Sequence, residues 1–103
     1  MTLKARLKKH LAEIVRDRHP YFSSGGHFYV QQYICEQFQQ WGTLETHEFS
    51  FDGKTHNNYI LDLPPAKPTR QPPILLAAHY DSVPGTPGAD DNATGVAVLL
   101  ELI

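Results

Sequence analysis

The sequence has little cysteine and no long apolar run. Cys35 is the single cysteine among 103 residues, so no internal disulfide can form. The apolar residues near the N-terminus are separated by charges, which leaves neither a membrane-spanning stretch nor the apolar core of a secretory signal. We therefore expect a cytoplasmic protein with no membrane partner. We expect Cys35 to pack as a small apolar residue within a helix.

The chain also lacks a strong charge of either sign. Nine basic residues against eleven acidic ones give a formal net charge of −2, which offers no case for a nucleic-acid partner. Bases are nevertheless concentrated near the N-terminus, where a basic helix can dock on membranes or acidic partners. We interpret them instead as a solvated helix face. They are Lys4, Arg6, Lys8, Lys9, Arg16 and Arg18.

Two helices are predicted before residue 43. Apolar residues recur at helical spacing from Leu3 to Val15, and Pro20 ends that helix because the residue before proline is disfavoured in the helical region. A second helix follows the loop 23–26 and stops at Gly42. Its apolar stripe is predicted to pack against a sheet. The stripe consists of Val30, Tyr33, Ile34, Phe38 and Trp41.

A β-hairpin and a connector are predicted next. The apolar period changes to about two in residues 43–51 and 55–63, and Asp52-Gly53 between them suits a tight turn with positive φ. The proline-rich residues 64–73 continue neither arm.

Histidines in this part of the chain suggest no metal site. His47 and His56 lie on the two arms of the hairpin, but no carboxylate or cysteine framework surrounds them. For His10 and His19 we predict surface or capping roles.

The rest of the chain is organised around residues 74–103. The continuous apolar run 74–78 predicts a strand covered on both faces, as in an α/β sheet. His79 and Asp81 follow at its carboxyl end, where open α/β sheets place their active sites. A loop rich in proline and glycine then leads to Asp90-Asp91-Asn92 and an apolar helix.

Ordinary structural roles explain only part of this pattern. His79 and Asp81 can form a plain hydrogen-bonded pair at a strand end. Asp91 or Asn92 can cap the helix N-terminus. That explanation accounts for one aspartate and leaves the other without a role, so the pattern favours a metal site.

The segment AAHYDSVPGTPGADDNATGVAVLLEL resembles the metal-binding segment of the M28 family of zinc aminopeptidases, whose pattern is H-x-D, a short loop, G-A-D-D-N-x-[ST]-G and an apolar helix. Residues 18–20, the helix ending at 41–42 and the strand at 58–60 resemble the N-terminal region of bacterial members. The resemblance implies two zinc ions, with His79 as a terminal ligand and Asp91 as the bridging carboxylate. It assigns Asp81 to the catalytic machinery as the carboxylate that orients His79, and leaves Asp90 a structural role.

The chemistry of these side chains agrees with the implied roles. Neutral imidazole and carboxylate oxygen are ordinary zinc ligands. A carboxylate on the other ring nitrogen fixes the tautomer of a ligating histidine, and one carboxylate can span two metals about 3.5–4 Å apart.

The resemblance also implies an extent for the domain. The family's Glu-Glu pair, a further Asp and a final His lie downstream of the matched segment, and Glu101 is expected to be a plain helix residue. We thus expect residues 1–103 to be the N-terminal portion of a single peptidase domain, truncated at its C-terminus. The implied architecture is an α/β fragment of a three-layer fold with a mixed central sheet. Alone, such a chain should be marginally stable or self-associate.

The implied function is a metal-dependent exopeptidase that acts on peptides with free N-termini. A glutaminyl cyclase also carries His-Tyr-Asp-Ser but typically follows its metal aspartate with Ser-Ala, so residues 91–95 favour the peptidase. A related carboxypeptidase, or a non-catalytic binding module of the same fold, are further alternatives. The intact His79, Asp81 and Asp91 argue against the binding module.

Overall fold

A computed structural model describes all residues, 1–103. It is a mixed α/β chain with three helices and one antiparallel sheet, which confirms the predicted class. The elements are α1 (Leu3–Ile14), α2 (Ser24–Gln39), β1 (Leu44–Phe51), β2 (Lys54–Leu61), a π-helical turn (Ala89–Ala93) and α3 (Thr94–Glu101). No helix is long and apolar enough to span a bilayer.

The core lies where the three helices meet. Ile14 is the last residue of α1 and has no exposed surface, and α3 contributes Val96 and Leu100 to the core. Burying a large apolar side chain contributes about 1.5–3 kcal/mol, so this small cluster supplies much of the stability. From α2 the core takes Val30, Ile34 and Phe38, the central members of the predicted stripe.

The outer end of that stripe differs from the prediction. Trp41 is 59% exposed and lies beyond Gln39, where α2 ends. Helical spacing places side chains on one face only while the helix continues, so the expectation that Trp41 packs in the core is wrong. Tyr33 is half-buried against the cluster.

The hairpin forms as predicted. Leu44 pairs with Leu61 at its open end, and Asp52 and Gly53 make the turn with φ of 51° and 75°. The side chains of Leu44 and Leu61 pack against the helical core and so attach the hairpin to it.

The predicted strand at residues 74–78 does not form. These residues join no sheet, and Ile74 and Leu75 are each 86% exposed. The sheet in this chain contains only β1 and β2. A strand needs a neighbour to satisfy its backbone groups, and no other strand lies beside this run. The prediction of a buried core strand at residues 74–78 is therefore wrong.

His10 is buried, contrary to the prediction of a surface or capping role. Its Nδ1 lies 2.6 Å from the Tyr33 hydroxyl, and its Nε2 lies 2.9 Å from the Glu101 carboxylate. Arg6 donates to the same carboxylate at 2.6 Å. These contacts join α1, α2 and α3 by polar bonds at the edge of the core. Glu101 is a helix residue, as predicted.

Cys35 lies half-buried in α2, and burial raises the pKa of its thiol. A thiol with a raised pKa is a poorer nucleophile at neutral pH. This agrees with the predicted packing role.

Candidate metal centre

His79 lies between two carboxylates. Its Nδ1 is 2.9 Å from Oδ1 of Asp81, and its Nε2 is 3.1 Å from Oδ1 of Asp91. All three side chains are about half or more exposed, so a solvent ion has access to them. The structure thus brings together the three residues that the sequence predicts, with Asp81 beside one ring nitrogen of His79 and Asp91 beside the other.

The backbone conformation at Asp91 directs its side chain toward His79 and not toward the N-terminus of α3. Asp91 and Asn92 have non-helical φ and ψ within the π-helical turn that precedes α3. Ala93 is the N-cap of α3, and no side chain caps that helix. The carboxylate of Asp91 meets His79 instead, which excludes a plain N-cap for this aspartate.

Two glycines allow this turn to close. Gly88 has a positive φ of 56°, and a Cβ there would lie 2.6 Å from the carbonyl oxygen of Asp91. A Cβ on Gly95 would lie 2.3 Å from Oδ1 of Asn92. Position 88 therefore requires glycine, and a Cβ at Gly95 would force the Asn92 side chain to move, which gives a physical reason for both glycines of Gly-Ala-Asp-Asp-Asn-Ala-Thr-Gly.

Asp90 contributes through its main chain. Its carbonyl oxygen accepts a hydrogen bond of 3.1 Å from the Thr94 hydroxyl, and its side chain is exposed and makes no hydrogen bond or ion pair. This bond closes the turn that carries Asp91, in agreement with the expected structural role.

Arg18 supports the loop from behind, and sequence reasoning missed it. It was grouped with the solvated bases, yet it has no exposed surface. Its backbone N–H donates to Ser82 Oγ at 2.9 Å. Its guanidinium donates to main-chain carbonyls at the end of α1 and on both sides of the loop that joins His79 to Asp91. Those carbonyls belong to Ile14, Arg16, Tyr80, Pro87 and Gly88.

The positive charge of Arg18 is partly balanced by carboxylates of the site. Burial lowers the pKa of its guanidinium, while the nearby carboxylates of Asp81 and Asp91 raise it. Arginine keeps its proton throughout the ordinary pH range. A buried positive charge therefore lies behind the acidic loop.

An open cavity of about 210 Å³ lies in front of His79. His19 is a wall residue that the sequence did not assign to the site. Its Nδ1 accepts hydrogen bonds from the N–H groups of Tyr21 and Phe22 at 3.1 and 3.2 Å, so its predicted capping role is confirmed. The other wall residues are His79, Asp81, Ser82, Val83, Pro84 and Asp91.

The donor set fits a zinc ion. With Asp81 accepting the Nδ1 proton, a neutral His79 directs its Nε2 lone pair at a carboxylate oxygen, an arrangement that needs a cation or proton between the two atoms. Two ligand atoms on one tetrahedral zinc lie about 3.3 Å apart, close to the observed separation. No group of three or more His, Cys, Asp or Glu side chains in the chain is arranged to hold a metal, so His79 and Asp91 remain a pair of candidate ligands.

Parts of the chain are similar to known proteins. Residues 58–103 match the model of Peptidase family M28. The chain is 41% identical over 80 residues to the uncharacterized protein YfbL of Escherichia coli, and 43% identical over 54 residues to Aminopeptidase YwaD of Bacillus subtilis. It is 30% identical over 110 residues to a vacuolar membrane protease of Meyerozyma guilliermondii.

These alignments cover 69%, 52% and 90% of the chain, but only 24%, 12% and 11% of the respective relatives. The chain thus spans at most about a quarter of their length. No solved structure gives a significant match. The matched residues 58–103 contain His79, Asp81 and Asp91 together with Gly88 and Gly95, so the segment of the chain that carries the three predicted site residues belongs to Peptidase family M28.

Proposed function

We propose that this chain forms the first part of a single peptidase domain that removes N-terminal residues from peptides at a two-zinc centre. The observation that carries the proposal is His79 held between Asp81 and Asp91, at 2.9 and 3.1 Å. The relative named an aminopeptidase supports exopeptidase activity, whereas the vacuolar membrane proteases support only the broader class.

The three site residues have distinct tasks in this proposal. His79 would hold one zinc through Nε2, and Asp91 would share its two carboxylate oxygens between both ions. When bound, paired zinc ions lower the pKa of a water and polarise a scissile carbonyl. Asp81 keeps the proton of His79 on Nδ1, which leaves the lone pair of Nε2 free to bind.

The chain alone is proposed to bind zinc without catalysing hydrolysis. His79 and Asp91 are the two ligand groups that it brings together, and the other carboxylate in the cavity wall, Asp81, is engaged with Nδ1 of His79 and so is not free to act as a general base. The purified chain with excess zinc should show no turnover of aminoacyl p-nitroanilides. Metal-dependent turnover that disappears in Asp91→Asn would contradict this part of the proposal.

A chimera tests the activity directly. Residues 58–103 would replace the matching segment of Aminopeptidase YwaD, so that the rest of the site comes from that enzyme. We expect zinc-dependent cleavage of an aminoacyl p-nitroanilide, none of its N-acetylated form, and loss of activity in the Asp91→Asn chimera. A folded, zinc-loaded chimera without activity would overturn the proposal.

A further inference from the structure

The segment that carries Arg18 is fixed in place by close backbone packing. A Cβ at Gly26, near the start of α2, would lie 1.9 Å from the carbonyl oxygen of Asp17. The guanidinium itself bonds back to the carbonyls of Ile14 and Arg16, at 3.3 and 3.1 Å. The side chain therefore starts from a rigid corner between α1 and α2.

From this corner, one guanidinium reaches both halves of the site. Its Nε donates at 2.7 Å to the carbonyl of Tyr80, the residue between His79 and Asp81. Its Nη2 donates at 2.9 Å to the carbonyl of Gly88, and the same carbonyl accepts the N–H of Ala93 at the start of α3. Asp91 lies inside the turn that the bond between Gly88 and Ala93 closes.

The segments that Arg18 joins have little regular backbone structure, although the side chain of Tyr80 attaches one of them to the core and donates to the carbonyl of Asn57 at 2.8 Å. Residues 74–83 belong to no helix or sheet, and the side chains of His79 and Asp91 are largely exposed. Several donors on one rigid plane can fix two carbonyls at a set separation. A lysine carries the same charge on a single flexible atom and cannot do this.

We propose that Arg18 is a positioning residue of the metal site, whose guanidinium sets the separation between His79 and Asp91 by holding the carbonyls of Tyr80 and Gly88. This role rests on the proposed function, since the separation of His79 and Asp91 affects zinc binding only when both residues bind the ion. Arg18 itself touches neither the ion nor the substrate.

The test compares zinc binding by the wild type and by Arg18→Lys, which keeps the charge and removes the fork. Arg6→Lys is the matched control, because Arg6 also bonds across the fold, to Glu101, but lies outside the site. Calorimetry with zinc chloride, on samples shown to be folded by circular dichroism, should give about tenfold weaker binding for Arg18→Lys. Arg6→Lys should bind within about twofold of the wild type.

A second variant covers the case in which Arg18→Lys does not fold. Ser82→Ala removes only the bond between Ser82 Oγ and the backbone N–H of Arg18. It should weaken zinc binding severalfold while leaving the helical spectrum unchanged. Wild-type affinity in folded Arg18→Lys overturns the inference, and so does wild-type affinity in Ser82→Ala if Arg18→Lys is unfolded.

Nuclear magnetic resonance separates this inference from the proposed function. A wild-type chain that binds no zinc contradicts the proposed metal site, yet the ring resonances of His79 still report its position in the metal-free chain. Arg18→Lys should shift or broaden those resonances, with Ser82→Ala as the substitute if it does not fold, and Arg6→Lys should not. Unchanged His79 resonances in the folded variant, together with absent zinc binding, would overturn the positioning role as well.

Discussion

Nε2 of His79 lies 3.1 Å from Oδ1 of Asp91, although the two residues are twelve positions apart in the chain. A loop containing two prolines and two glycines with positive φ brings them together, and no regular element spans the gap. The ring is oriented by Asp81 on its other side. The geometry of the site therefore depends on the loop and on the groups that hold the loop in place.

Asp81→Asn should weaken zinc binding by about 10- to 100-fold without unfolding the chain, because the amide can donate to Nδ1 and favour the wrong tautomer of His79. Asp90→Asn is the matched control, since the Asp90 side chain is exposed and forms no hydrogen bond or ion pair. Calorimetry with zinc measures both variants. Equal zinc affinities of Asp81→Asn and Asp90→Asn would contradict a role for Asp81 in orienting His79.

Gly95→Ala should destabilise the chain by about 1–3 kcal/mol, because the new Cβ would lie 2.3 Å from the Asn92 amide. Gly25→Ala, also within a helix, meets no atom within 4 Å and should stabilise by up to about 1 kcal/mol. Urea unfolding followed by circular dichroism compares the two. The same sign for both substitutions would contradict the close packing of Asn92 on Gly95.

Much of the fold could be predicted from local pattern, because helices and hairpins are specified by neighbouring residues. The spacing of Val30, Ile34 and Phe38 and the turn at Asp52-Gly53 are examples. The site residues were found because His79, Asp81 and Asp91 share one contiguous segment. The predicted strand at 74–78 failed for a different reason: a strand depends on a partner, and apolar character alone does not supply one.

The buried polar residues could not be predicted in this way. Arg18 lies near the end of a basic, amphipathic stretch and has the same residue type as its exposed neighbours. Its burial depends on carbonyls of residues 80, 87 and 88, far along the chain. His10 likewise has partners in two other helices. No spacing in the sequence encodes such contacts.

Glu101 should make the stability of the chain pH-dependent in the acid range. Hydrogen bonds from Arg6 and His10 lower the pKa of its carboxyl from the ordinary 4.5. A carboxylate with a lowered pKa in the folded state stabilises fully above its unfolded pKa, and the contribution is lost as pH falls through the folded value. Thermal unfolding between pH 6 and about 3 should show a smaller acid loss in Glu101→Gln.

Glu36→Gln, an exposed substitution in α2, is the control for that experiment. It should keep the acid dependence of the wild type. An unchanged slope in Glu101→Gln would show that the bonds of Glu101 do not contribute to folding.

Self-association should depend on the apolar run before the site. Ile74, Leu75 and Leu76 are 86%, 86% and 58% exposed and unpaired, which favours pairing with a second copy of the chain. Light scattering after size exclusion should show concentration-dependent dimers, reduced by replacing Leu75 with Asn. Leu63→Asn, at a half-exposed position just before the connector, should leave them unchanged. A monomer at all concentrations would contradict the prediction.

His79 and Asp91 are proposed to bind one ion together, and calorimetric titration of the chain with zinc can show whether they do. The wild type should bind zinc, and His79→Ala and Asp91→Ala should each lower the affinity by at least about tenfold while the helical spectrum stays the same. Zinc binding that survives both substitutions, or no binding by the folded wild type, would contradict the claim.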